Sequence, residues 1–240
     1  LQRLRRPENS AFWSETSGIV ASLGEEQRKK LELRHLPGIR WAASAHPDWL
    51  TASRQDLLSR LDAMLQGRKR YVAEGASTAA TRAPESLQTW RDGMSWGDAL
   101  MVLTAAHAVM DPALTSTIFV QVDEDRNDTS TEYGGVIDGT TQGFAVRYFP
   151  PRPSQRYGDR RFVASSDLIE QGATAIFHYH HHCTDYSNTK YASPSAEDRL
   201  YASRHGRGCL IFTCINKNLL NADYFDGVSV IDLGELRRPE

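Results

Sequence analysis

The stretch FHYHHHCTDYSNTKYASPSAED, residues 177–198, places four histidines in five positions and follows them with Pro194-Ser195-Ala196-Glu197-Asp198. Imidazole and carboxylate are ordinary donors for a divalent transition metal. The apolar run Ala175-Ile176-Phe177 ahead of the histidines reads as a buried strand, and strand side chains alternate between faces. His178, His180 and His182 then share one face, with Tyr179 and His181 on the other. Two imidazoles two residues apart on a strand can converge on one ion, about 2.0–2.1 Å from each nitrogen. A solvated His-rich loop is the plainer alternative, and the place at the end of a buried strand favours the metal. Two frames are open, His180 with His182 or His178 with His180.

Ser195 suits a helix N-cap, and the acidic residue three positions later is a capping-box partner. A carboxylate in a first helical turn also points back toward whatever precedes the helix, so Asp198 is a candidate third, anionic ligand. Two His and one Asp leave a fourth tetrahedral position open to water, the mark of a catalytic rather than a structural site. A base for that water is available in TEYGGVIDG, residues 131–139, where Glu132 precedes two glycines that permit close backbone approach. This stretch is expected just after a first strand at 115–122.

Glu-x-Gly-Gly, then His-x-His closing a strand, then Pro-Ser-x-x-Asp opening a helix: in order and in element type this resembles the JAMM (MPN-plus) metalloprotease family over about residues 95–240. The chain has Cys183 where the family commonly has a proline, and twelve residues separate His182 from Ser195 where the family's gap is shorter. Of the two frames, the shorter gap is closer to the family and favours His180 and His182. The resemblance implies an MPN-like layered α/β domain with a central mixed sheet flanked by helices. It implies Zn²⁺ on His180, His182 and Asp198, Glu132 as general base, and the Ser195 hydroxyl as oxyanion donor. The activity implied is that of a zinc metallopeptidase cleaving a peptide or isopeptide amide bond, with a protein substrate that in this family is often ubiquitin-like. Non-catalytic MPN-like scaffolds are the rival, and they usually lose a ligand or the glutamate, all present here. A nucleobase deaminase would need H-x-E followed by P-C-x-x-C, and neither occurs.

The elements that must position these residues are read from periodicity. Residues 25–34 and 51–67 read as helices, the second with Leu57, Leu58, Leu61, Met64 and Leu65 at helical spacing. GRKRYVAEGASTAATRAPES, residues 67–86, reads as a loop or linker. A third helix over 95–110 puts Trp96, Leu100, Leu103 and Met110 on one side. Short β-branched or apolar runs at 115–122, 143–149, 173–180, 209–215 and 228–233 read as strands. Helices are expected at 165–171 and from Pro194 to His205, with Gly206 as the C-cap. Strands interleaved with helices give an α/β domain over 91–240, preceded by a helical region over 1–90.

Bulk composition excludes some classes. Of 240 residues, 40% are hydrophobic and 24% charged, and the net charge is −2, which calls for neither nucleic acid nor an acidic membrane. Residues 1–90 carry 14 Lys and Arg against 10 Asp and Glu, and residues 91–240 carry 14 against 20, a shift that supports two units. No window approaches eighteen apolar residues. Cys183, Cys209 and Cys214 are odd in number and lack CxxC spacing, so they read as reduced thiols of a cytoplasmic protein. The first residue is Leu1, as in a trimmed or processed chain, which is compatible with a removed signal.

Overall fold

The structure, a computed structural model, describes residues 4–71, 85–158 and 161–239. Helices α1 (Ser10–Ser22), α2 (Glu25–Arg28), α3 (Leu36–Ala45), α4 (Arg54–Leu65), α5 (Leu87–Trp90), α6 (Trp96–Met110) and α7 (Pro112–Asp125) precede strands β1 (Gly134–Thr140) and β2 (Gly143–Tyr148). Then follow α8 (Ser166–Gln171), β3 (Phe177–His182), α9 (Ala196–His205), β4 (Cys209–Asn216), β5 (Leu219–Phe225) and β6 (Val230–Arg237). The strands form one six-stranded sheet in the order β2-β1-β3-β4-β5-β6. β3 and β4 run parallel and every other neighbouring pair is antiparallel, so the sheet is mixed.

Alternation sorts the sheet into two faces. Tyr179, Leu210, Phe212, Leu220, Ala222, Ile231 and Leu233 join one buried cluster with Ile39, Leu57 and Leu61 from the early helices and most of α6. This cluster crosses the boundary expected at residue 90: residues on both sides of it bury one core. The opposite face carries Cys209, Ile211, Phe225 and Val230 against Ala202 of α9, and Val136 against Leu168 of α8. The histidines at even positions lie on this second face. Fully burying a Leu or Val contributes about 1.5–3 kcal/mol, so the first face holds most of the driving force for folding.

Helix starts follow their capping residues. Ser53, Ser95 and Ser195 each accept from the backbone N–H three residues on, and Asp56, Asp98 and Asp198 reciprocate. Gly206 adopts φ 58° and ends α9, the left-handed cap its sequence suggests. α6 departs from the one-sided stripe expected: it is buried nearly all round, including Gly97, Ala99 and Thr104, and Met110 is its exposed end.

Four other expectations need correction. Residues 115–122 form α7, because Asp111 accepts from Ala113 and Leu114 N–H with Pro112 in the first turn, and Leu114, Ile118, Phe119 and Val122 bury one helical stripe. Glu132 therefore follows a helix and precedes the first strand. The helix expected over 25–34 stops at Arg28; Lys30 takes φ 61° and a 3-10 turn, Leu33–His35, follows. The strand read at 173–180 begins at Phe177 and ends at His182, since Gly172 to Ala175 close a turn after α8. β1 and β5 were not expected: β1 is glycine-rich, and β5 carries Asn221 and Asp223 inward, both buried. Residues 67–71 and 85–86 are outside regular elements, and the rest of the expected linker, 72–84, lies outside the described residues. Among the described residues no single helix is long and apolar enough to cross a membrane.

Asp223 and Asp232 pair directly across β5 and β6, both buried, with Glu85 close enough to complete a group of donors within 4.8 Å of one another. Burial pushes the Asp232 carboxyl up to about 6; the Gly234 N–H opposes this and the Glu85 charge adds to it. An acid raised on folding stabilises fully below its unfolded pKa and loses that stabilisation as pH rises through the folded value. The stability advantage of Asp232→Asn over wild type should therefore grow from pH 4 to pH 7, by up to roughly 3 kcal/mol. Denaturant melts of both proteins across that range check it, and a difference independent of pH contradicts it.

Candidate metal centre

Gly134 pairs with His180 across β1 and β3, which sets Glu132 just beyond the start of the ladder and beside the histidine strand. A Cβ at Gly134 would strike the Tyr179 carbonyl and the Phe162 ring, and one at Gly135 would strike the Arg147 carbonyl. The two glycines thus let three segments close around the site. One donor atom each from Glu132, His180 and His182 lies within 4.8 Å of the others. Glu132 is 6% exposed, so its carboxylate faces the cluster rather than bulk water.

His180 stacks on Phe162, ring centroids 5.1 Å apart and 7° from parallel. Its Nε2 is buried, has no hydrogen-bond partner, and lies 3.3 Å from Oδ1 of Asp198. The His182 Nδ1 is 2.9 Å from the Tyr191 carbonyl. A carbonyl only accepts, so Nδ1 carries the proton and the Nε2 lone pair is turned inward, 3.8 Å from Oδ2 of Asp198. An outer hydrogen bond of this kind fixes ring and tautomer in metal-ligating histidines.

Asp198 serves two ends. Its Oδ2 accepts from Ser195 N–H at 2.7 Å, and its own N–H donates to Ser195 Oγ at 3.1 Å. The same carboxylate faces both imidazoles. Burial alone would raise its pKa, but His180 and His182 outweigh this and hold it well below the usual carboxylate range. Burial lowers His180, and Asp198, Glu132 and Asp125 more than reverse the effect; burial and then His180 bring His182 down to about 4. Two carboxylates facing two imidazoles form a concentrated set of lone pairs, and the unpartnered Nε2 of His180 lacks a positive partner. This donor set fits a small cation, and nitrogen with oxygen suits zinc among other first-row metals.

The remaining candidates go elsewhere. His178 shares the face but has both nitrogens engaged, Nδ1 with the Tyr201 hydroxyl at 2.8 Å and Nε2 with the Gly172 carbonyl at 3.2 Å. Burial lowers its pKa to about 3, so it is neutral and does not reach the cluster. His181 points to the opposite face, toward Asp125. Asp185 is exposed in the loop after β3. A cavity of about 450 Å³ runs from Glu132, His180, His182 and Asp198 past Ser195 to Tyr201.

Sequence reasoning missed two supports. The loop 183–192 supplies the Tyr191 carbonyl, and Asn188 anchors it by donating from Nδ2 to the His182 carbonyl at 3.0 Å and from its N–H to the Cys214 carbonyl at 2.8 Å. Backbone acceptors leave no trace in residue type, so nothing in the sequence marks Tyr191. Phe162, the platform for His180, lies in a polar loop with no periodicity to reveal it.

Comparison with known proteins found no match among family models, curated proteins or solved structures.

Proposed function

We propose that this chain is a zinc-dependent amide hydrolase of JAMM type, built on an MPN-like layered domain and acting on a peptide or isopeptide bond of a protein substrate. The observation that carries the reading is convergence. Glu132, His180, His182 and Asp198 come from a pre-strand segment, a strand end and a helix start far apart in sequence, and they meet at one cavity with Ser195 beside them.

His180, His182 and Asp198 would hold the metal. Bound there, Zn²⁺ would supply Lewis acidity and lower the pKa of a water toward neutrality. Glu132, buried and on the His side of the cavity, takes the proton of the attacking water and delivers it to the leaving nitrogen. Ser195 Oγ accepts from the Asp198 N–H while its hydroxyl faces the Asp198 carboxylate, and with that carboxylate engaged by a cation the hydroxyl would turn to donate to the oxygen of the attacked carbonyl as charge develops. The Tyr191 carbonyl keeps His182 in the ligating tautomer, and the Phe162 ring excludes water from one face of His180.

The test is metal analysis of purified protein together with a panel of peptide amides, ubiquitin-like fusions and lysine isopeptide conjugates. About one zinc per chain and chelator-sensitive cleavage of at least one class support the proposal. Zinc without cleavage of any class favours a metal-bearing scaffold, and absence of metal binding removes the reading altogether.

A further inference from the structure

Asp125 ends α7 with its side chain 1% exposed, and His181 sits in β3 with none of its surface exposed. Neither belongs to the cavity, yet they close a ring with the backbone of the active segment. The Tyr133 N–H donates to Asp125 Oδ1 at 3.0 Å, and the His181 N–H donates to the Tyr133 carbonyl at 3.0 Å. The ring is completed by His181 Nδ1, 3.6 Å from Asp125 Oδ2. Tyr133 is covalently next to Glu132, and His181 lies between His180 and His182. Two of the ring's three members are thus joined directly to the site, Tyr133 to the base and His181 to both histidines, and Asp125 links the two.

The need for such a device follows from the sheet. The β1–β3 ladder begins at Gly134 and His180, so Glu132 lies outside its regular pairing. On its other side the chain is tied at Ser130 and Thr131, where the Gly158 N–H donates to the Ser130 carbonyl at 2.9 Å and Arg156 Nη1 to Ser130 Oγ at 2.9 Å, both ahead of Glu132. A neutral acceptor would satisfy the Tyr133 N–H, but a carboxylate has a second oxygen to face the imidazole at the same time. A buried acid and imidazole 3.6 Å apart form a poor source of stability, since desolvation consumes most of the attraction at that separation.

We propose that Asp125, acting with His181, is a positioning residue: the pair holds the Glu132 segment at a fixed distance from the His180 and His182 strand, from the face of the sheet opposite the cavity. The kinetic part of this proposal rests on the amide hydrolase reading. A base displaced by about 1 Å can lose about 10²-fold in rate.

The experiment compares zinc-loaded wild type with Asp125→Ala and Asp125→Asn, and follows amide exchange of Tyr133 by NMR as well as turnover. In Asp125→Ala the zinc content and KM should hold within about twofold, kcat should fall about 100-fold, and the Tyr133 amide should exchange at least about tenfold faster because its acceptor is gone. Asp125→Asn keeps an acceptor oxygen for Tyr133 and turns an amide NH2 toward His181 Nδ1 in place of the second oxygen, so it should recover most of both. Should Asp125→Ala not fold, the double variant Asp125→Leu with His181→Leu removes both buried polar partners together and leaves neither charge stranded. It should stay folded, less stable only by the hydrogen bond lost at the Tyr133 N–H, and show the same two losses. Unchanged Tyr133 exchange, or unchanged kcat per folded zinc-loaded molecule, overturns the proposal, because a purely structural role would lower the melting temperature alone. If wild type cleaves nothing in the panel, the hydrolase reading fails, and Tyr133 exchange by itself decides whether Asp125 holds the segment.

Discussion

Glu132→Gln will leave zinc content unchanged and lower kcat for amide cleavage by about 10²–10⁴-fold, the usual contribution of a positioned general base. The substitution keeps the volume and the buried position of the side chain, which is 6% exposed. It removes only the capacity to take a proton. KM should move little, because the side chain acts on the water and the leaving nitrogen rather than on ground-state binding. Single-turnover cleavage at matched zinc occupancy makes the measurement. Unchanged turnover would remove Glu132 as the base. Loss of zinc with turnover would instead make it a ligand, an outcome its proximity to both imidazoles keeps in view.

The second large effect concerns the metal itself. His182→Ala and Asp198→Ala should each reduce bound zinc from about one per chain to a small fraction, while His178→Ala should retain it. The contrast follows from geometry. Asp198 lies within 3.3 Å of the His180 ring and 3.8 Å of the His182 ring, whereas both nitrogens of His178 are occupied by Tyr201 and Gly172. A ligand bound only by the folded state stabilises by about 4 kcal/mol at a thousandfold excess over its Kd. Added zinc should accordingly raise the melting temperature of wild type and of His178→Ala, and leave the two ligand variants unmoved. Full zinc occupancy in His182→Ala and Asp198→Ala would sink the ligand assignment. Asp198→Asn is a useful companion, since it keeps an acceptor for the Ser195 N–H and isolates the charge.

How much of this was legible in the sequence depends on the kind of signal. The site residues stood out because strand alternation and a helix cap are local, and both act within five residues. Alternation alone left two histidine frames, and the gap to Ser195 favoured His180 and His182 only by likeness to the family. The structure adds what no local spacing carries: both nitrogens of His178 are engaged, by Tyr201 and the Gly172 carbonyl, 23 and 6 residues away. The strand expected at 115–122 failed because Thr, Ile and Val favour strands by composition. The Asp111-Pro112 start and the burial of Leu114, Ile118 and Val122 at helical spacing overrode that preference. β5 was invisible for the opposite reason, since its inward Asn221 and Asp223 break the apolar pattern that marks a buried strand. The charge shift at residue 90 pointed to two units, whereas the early helices and the sheet bury one shared cluster.

α9 has a further consequence. Among its residues only Ala202 is buried, so little apolar packing holds the helix, and its start depends on the reciprocal bonds of Ser195 and Asp198. Asp198 is also the anionic contact of both imidazoles. With a cation held at Asp198, fraying of the first turn and loss of that contact would be a single event, so occupancy and helix order would be thermodynamically linked. Linkage is reciprocal: whatever factor a cation contributes to the order of α9, any partner that favours the ordered helix returns to cation affinity. The side of α9 that faces away from the cavity, where Ala196 and Ser203 are exposed, would thus be a handle on the centre from outside it.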